Sequence, residues 1–99
     1  MTASSGSLPV HRHRTACFSV IAAAEPGIMP RVLETFAKRG LVPSQWLGTT
    51  AGFHSRELHI DIQLEDVDAE LSERLAQSLR QVVSVRSVLT SEKRLFLSA

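Results

Sequence analysis

Apolar residues along the chain repeat with a period that changes from two to nearly four and back, and each change marks an element. The cleanest stretch is Glu57 to Glu65, where Leu58, Ile60, Ile62 and Leu64 alternate with His59, Asp61 and Gln63. Alternation of this kind puts four aliphatic side chains on one side of a half-exposed antiparallel strand. The stretch ACFSVIAA, residues 16–23, is more uniformly apolar and reads as a strand buried on both faces or nearly so. Phe18 and Val20 then face one side, Cys17 and Ile21 the other. Val82 to Leu89, VVSVRSVL, reads as a further strand. Val42 to Thr50 reads as another, and Pro43 and Gly48 assign it to an edge or a bulge.

Between the first two strands the period lengthens. Ile28, Met29, Val32, Leu33, Phe36 and Ala37 form a one-sided helical stripe, closed by Lys38-Arg39-Gly40. Two cations suit the negative end of a helix, and a glycine suits the residue after it. Pro30 is tolerable only in the first turn, where its missing N–H had no partner. The helix therefore starts at about Gly27 or Ile28, directly after the turn Glu25-Pro26-Gly27. Leu71, Leu75 and Leu79, with Ala76 beside them, mark a second amphipathic helix reaching about Arg80 or Gln81. Asp66, Asp68 and Glu70 supply its cap and first-turn acids.

The resulting order is β-α-β-β-α-β. Right-handed crossovers place both helices on one face of a four-stranded antiparallel sheet, the α+β ferredoxin-like arrangement. The other face carries no helices, both outer strands are open edges, and Trp46 falls on one of them; a partner subunit would cover these surfaces. Residues 1–14 read as a disordered leader, 15–91 as the domain and 92–99 as a C-terminal tail. In that tail Glu92-Lys93-Arg94 breaks the strand pattern ahead of the apolar Leu95-Phe96-Leu97.

Composition narrows the class. Ninety-nine residues allow one domain with one modest core. A net charge of +1 with no basic stripe argues against nucleic acid as a partner. No stretch approaches the roughly 20 apolar residues of a membrane span, and the first residues lack the apolar run of a signal peptide. The single cysteine, Cys17, excludes an internal disulfide and suits a reducing, cytoplasmic setting.

Chemistry-bearing side chains are sparse. Cys17 has no activating neighbour and reads as an inert core thiol. His11-x-His13 is too short a metal motif to stand alone and reads as solvated. His59 and Asp61 are neighbours on one strand face, either an acid–base pair or, more simply, a solvated sheet face. Asp66, Asp68 and Glu70 lack the glycine and the later glutamate of a calcium loop. The expectation is no catalytic residue, no metal site and no cofactor. What remains is Glu25-Pro26-Gly27, where a strand ends, a glycine bares the backbone and a helix N-terminus begins. Free N–H groups and the helix dipole suit a carboxylate or another anion there. A glycine needed only for tight helix–sheet packing would leave the same pattern.

The run Glu25, Pro26, Gly27, Ile28, Met29, Arg31, Val32, Phe36, Arg39 and Gly40 resembles the opening of ACT domains, most closely that of the small regulatory subunits of acetolactate synthase. Leu79 to Val88, LRQVVSVRSV, is similar to the leucine-x-lysine-leucine-valine-x-valine of the same subunits. The resemblance covers about Ala16 to Ser91. It implies a non-catalytic regulatory subunit that pairs side by side into a homodimer with an extended sheet. It also implies a larger thiamine-diphosphate-dependent catalytic subunit as partner, in branched-chain amino-acid biosynthesis, and a branched-chain amino acid as ligand. By this resemblance Gly27 and Ile28, in the loop Glu25-Pro26-Gly27-Ile28-Met29, offer backbone N–H groups to the ligand carboxylate. Ile28 and Met29, with Ser44, Gln45 and Trp46, shape an apolar pocket where the first loop of one protomer meets the second strand of the other. One position departs from the family. Its asparagine after the R-G-aromatic run is replaced by Val42, so a ligand amino group falls to Ser44, Gln45 or a backbone carbonyl. The alternative is a free-standing ACT-like amino-acid sensor with a different enzyme partner or none.

Overall fold

Alternation along the two central strands decides which side of the sheet meets the helices. The computed structural model describes residues 10–98. Its elements are β1 (Val10–Ala23), α1 (Ile28–Ala37), β2 (Gln45–Ala51), β3 (Glu57–Glu65), α2 (Ala69–Arg80) and β4 (Val85–Ser98), with a short 3₁₀ turn at Phe53–Ser55 between β2 and β3. The strands lie in the order β2-β3-β1-β4, every neighbouring pair antiparallel. This is the expected ferredoxin-like layout.

In β1 and β3 the pairs Ala16–Leu64, Phe18–Ile62, Val20–Ile60 and Ala22–Leu58 share one face, and all eight side chains are buried. From above, α1 adds Ile28, Val32 and Phe36, and α2 adds Leu75, Ala76 and Leu79. The Phe18 and Phe36 rings meet edge to face, centroids 5.7 Å apart at 72°. Helix α1 begins where Pro30 requires, with the proline in its first turn. Trp46, paired with Ile62, also faces the helices and packs half-buried against the core, so the chain itself covers much of it.

Helix α2 is capped as its acids suggested. The Asp68 Oδ1 accepts from the Leu71 N–H at 2.8 Å, and Glu70 pairs with Arg74 one turn on. Asp68→Ala is expected to cost about 1 kcal/mol, lowering the melting temperature of a domain this size by roughly 4–8 °C. Asp68→Asn keeps the acceptor and should melt close to wild type, which thermal denaturation followed by circular dichroism would check.

Both terminal segments behave differently from the sequence reading. Of residues 1–14, 1–9 lie outside the described residues, but 10–14 are not a leader: β1 begins at Val10. The segment from Glu92 is a continuation of β4 to Ser98, not a separate tail. The two pair with each other, Val10 with Ser98 through Thr15 with Lys93. The reason is non-local. Backbone ladder bonds between the two ends of the chain hold these extensions, and no period in either segment alone announces them.

The helix-free face is lined by Leu47, 52% exposed, Leu89, 67% exposed, and the half-buried Cys17 and Ile21. Cys17 therefore sits on this face and not in the core; its Sγ lies 3.8 Å from the Thr15 carbonyl oxygen.

Candidate ligand site at the start of helix α1

Strand β1 ends with two backbone bonds, from the Ala23 N–H to the Ser84 carbonyl at 2.9 Å and from the Ala24 N–H to the Arg56 carbonyl at 3.0 Å. The chain then turns. The Ile28 N–H donates to the Glu25 carbonyl at 3.1 Å, and the Ser84 hydroxyl donates to the Glu25 Oε1 at 2.9 Å. Ser84 adopts φ 76°, a left-handed conformation costly to a residue with a Cβ, and the bonds to Ala23 and Glu25 hold it there. Glu25 thus ties the turn to the β4 approach.

Gly27 has φ −84° and ψ −3°, which any residue adopts. A Cβ at Gly27 would meet the Arg31 guanidinium, its carbon at 3.5 Å and its nitrogens at 3.6 and 3.8 Å, all ordinary contacts. Neither strain nor tight packing therefore demands a glycine. The start of α1 has no side-chain cap and no acid in its first turn, unlike α2. Ile28 differs from what the resemblance implied: its N–H is taken by Glu25 and its side chain is fully buried in the core. Among the described residues, the Gly27 and Met29 N–H groups have no hydrogen-bond acceptor. Pro26 is exposed beside them, and the half-buried Met29 reaches across to β2, its Cε 3.1 Å from where a Cβ on Gly48 would stand.

Ser44, Gln45 and Trp46 lie elsewhere. The Ser44 N–H donates to the Gln63 carbonyl at 2.8 Å, and its hydroxyl donates to the same oxygen at 3.3 Å. Gln45 is exposed and paired with Gln63, whereas Trp46 faces the helices. The α1 turn is anchored at Arg56 and this segment at Gln63, at opposite ends of β3 and roughly 24 Å apart at about 3.4 Å per residue. Within one protomer only Met29 reaches toward this group, to Gly48, two residues from Trp46 on the same face of β2. Val42 is 84% exposed.

Other candidate groups are engaged or dispersed. The His59 Nε2 lies 3.3 Å from the Glu57 Oε1, and Glu57 also takes Arg86 at 3.2 Å. His59 is thus paired with Glu57 and not with Asp61. No group of three or more His, Cys, Asp and Glu residues that could hold a metal occurs among the described residues. The His11 and His13 side chains lie outside them. No helix among the described residues is long and apolar enough to cross a membrane.

Periodicity left one cluster unmarked. Arg31 of α1, with Lys38 and Arg39 just after that helix, lines a groove against Ser78 and Gln81 to which Thr35 also contributes. Thr35 is 7% exposed, a polar residue within an otherwise apolar helix stripe. That mismatch was the one signal in the sequence.

Comparison with known proteins agrees with this fold. No curated protein matches the chain. Among solved structures, the chain is similar to the ACT domain from GTP pyrophosphokinase of Chlorobium tepidum, at TM-score 0.66 and 12% identity, covering 78% of this chain and 96% of that one. It is similar to the small subunit of acetolactate synthase from Thermotoga maritima, at TM-score 0.66 and 21% identity, covering 77% of this chain and 46% of that one. It is also similar to the regulatory subunit of aspartate kinase from Thermus flavus, at TM-score 0.63 and 14% identity, covering 92% of this chain and 62% of that one. These likenesses extend to the fold alone. Residues 9–95 match the sequence profile of the ACT-like domain, so the chain belongs to the family of ACT-like regulatory domains.

Proposed function

We propose that this ACT-like domain is a non-catalytic regulatory subunit that binds a small amino acid and acts on an acetolactate synthase of branched-chain amino-acid biosynthesis in the cytoplasm. The observation that carries the ligand reading is the bare start of α1. It has an uncapped helix N-terminus, N–H groups of Gly27 and Met29 without acceptors among the described residues, and the Arg31 guanidinium close by. Such a place receives a carboxylate. Glu25 and Pro26 fix the direction of the turn, and Ile28 anchors it in the core.

The site needs a second copy of the chain. The backbone of the α1 turn and Ser44 and Gln45 are at opposite ends of β3, so a homodimer is the arrangement that joins them into one pocket. Acetolactate synthase, whose catalytic subunit depends on thiamine diphosphate, is favoured as the enzyme partner by the motif resemblance of Glu25 to Gly40. The exposed Val42 favours a second reading. With no side-chain acceptor there for a ligand amino group, the domain would serve as a free-standing sensor of a small acid or another amino acid, with a different enzyme partner or none.

Calorimetric titration with valine, leucine and isoleucine, and then with the other amino acids, separates the two. Binding of a branched-chain ligand in the micromolar to sub-millimolar range is expected from the first reading. Selective binding of a different amino acid would transfer the site to the second, and no binding at all would remove the ligand role from the α1 turn. Sedimentation at micromolar protein should show a dimer; monomer alone would overturn the shared pocket.

A further inference from the structure

We propose that the groove between α1 and α2 binds a small phosphate-bearing molecule, beside the amino-acid site and sharing only Arg31 with it. The groove is open, has a volume of about 390 Å³, and is lined on its α1 side by Arg31, Lys38 and Arg39, against one acid, Glu34. Among the described residues, the side chains of Arg31 and Lys38 have neither a hydrogen bond nor an ion pair. Arg39 is held in place: its guanidinium donates to the Thr35 carbonyl at 3.1 Å and to the Ser78 hydroxyl at 3.3 Å. A guanidinium has five N–H donors, so most of its donating capacity is left for a ligand.

Thr35 supplies the second, independent observation. It is more than nine-tenths buried and lines the groove, yet its hydroxyl has no hydrogen-bond partner among the described residues. Buried polar groups without partners are rare in native proteins, and each calls for an explanation. A ligand oxygen in the groove would satisfy it.

Helix stability accounts for only part of the charge. Lys38 and Arg39 follow the last turn of α1, where cations suit the dipole. Arg31 is in the first turn, where the same dipole disfavours a cation. Three cations along the groove exceed what one carboxylate neutralises, and the pair Lys38 and Arg39 suits the charge and the several acceptor oxygens of a phosphate. The partly buried Val82 and the exposed Val83 form an apolar wall suited to the non-phosphate part of such a molecule.

The test is a titration of the full isotope-labelled chain with sodium pyrophosphate at moderate salt, followed by two-dimensional amide NMR. Saturable shifts centred on Thr35, Lys38, Arg39, Ser78 and Gln81 are expected. Lys38→Gln, at an exposed position that should not disturb folding, is expected to weaken binding about tenfold. Thr35→Val leaves the charge unchanged and should weaken it several-fold, whereas Thr35→Ser should restore it. Shifts that never saturate, or that fall equally on Arg56, Arg74 and Arg86, would reduce the groove to general electrostatic attraction and overturn the site. Unchanged affinity in Thr35→Val would remove the hydroxyl from it. Succinate binding as tightly as pyrophosphate would overturn the phosphate assignment. Because Lys38 and Thr35 are outside the α1 turn, amino-acid titration of the same variants keeps failure here distinct from failure there.

Discussion

Phe36→Ala is expected to cost about 3–5 kcal/mol of folding stability. Phe36 is fully buried, and its ring meets Phe18 edge to face, so its removal leaves a ring-sized void between α1 and the two central strands. Neighbours around that void are themselves anchored. Val32 and Leu75 are fully buried, and the chain after α1 is tied to the same residue by the Leu41 N–H, which donates to the Phe36 carbonyl at 3.0 Å. The site therefore cannot collapse freely to refill the volume. Native domains have stabilities of about 5–15 kcal/mol, so the loss consumes a large fraction of the total. Phe36→Leu keeps most of the volume and should cost far less. Urea denaturation with an unchanged slope would report both, and a loss under about 1 kcal/mol for the alanine variant would mean that this core repacks.

The parts of the fold that were legible are those whose signal is local. Leu58, Ile60, Ile62 and Leu64 sit on the helix-facing side of β3 because strict alternation leaves no other register that buries them. Pro30 sets the start of α1 because a proline further in would cost a helix bond. What stayed hidden depends on distant partners. The pairing of residues 10–15 with 93–98 joins the two ends of the chain and has no apolar period to reveal it. Trp46 looked stranded on an edge, yet its face is decided by pairing with Ile62 and by the helices above. Cys17 looked like a core residue because its neighbours are apolar, but its parity puts it on the face without helices. Ile28 shows the limit for a site. Its place in the motif implied a free N–H, and the turn closed by Glu25 takes that donor. The groove of Arg31, Thr35 and Arg39 is assembled by the packing of α1 against α2, so the sequence held only the oddity of a threonine in an apolar stripe.

Gly27→Asp is expected to weaken amino-acid binding roughly 30–100-fold while leaving the fold intact, on the reading that the ligand carboxylate sits at the start of α1. The backbone at φ −84° and ψ −3° accepts aspartate without strain, and its Cβ would stand at ordinary contact distance from the Arg31 guanidinium. The first turn of α1 has no acid, so the new carboxylate meets an unsatisfied helix N-terminus and should raise stability by about 0.3–1 kcal/mol. That gain is the reason affinity falls. The side chain brings its own negative charge to the Gly27 and Met29 N–H groups and to Arg31, the groups a ligand carboxylate would use. Gly27→Ala is the control: it adds the Cβ without the charge, and should lose less than about threefold. Calorimetry on the ligand and thermal melts on the two variants give both numbers. A Gly27→Asp protein that melts higher and binds weakly places the ligand at the turn. One that melts higher and binds as wild type would leave the bare helix start as an uncapped end, and the amino-acid site would have to lie elsewhere in the dimer.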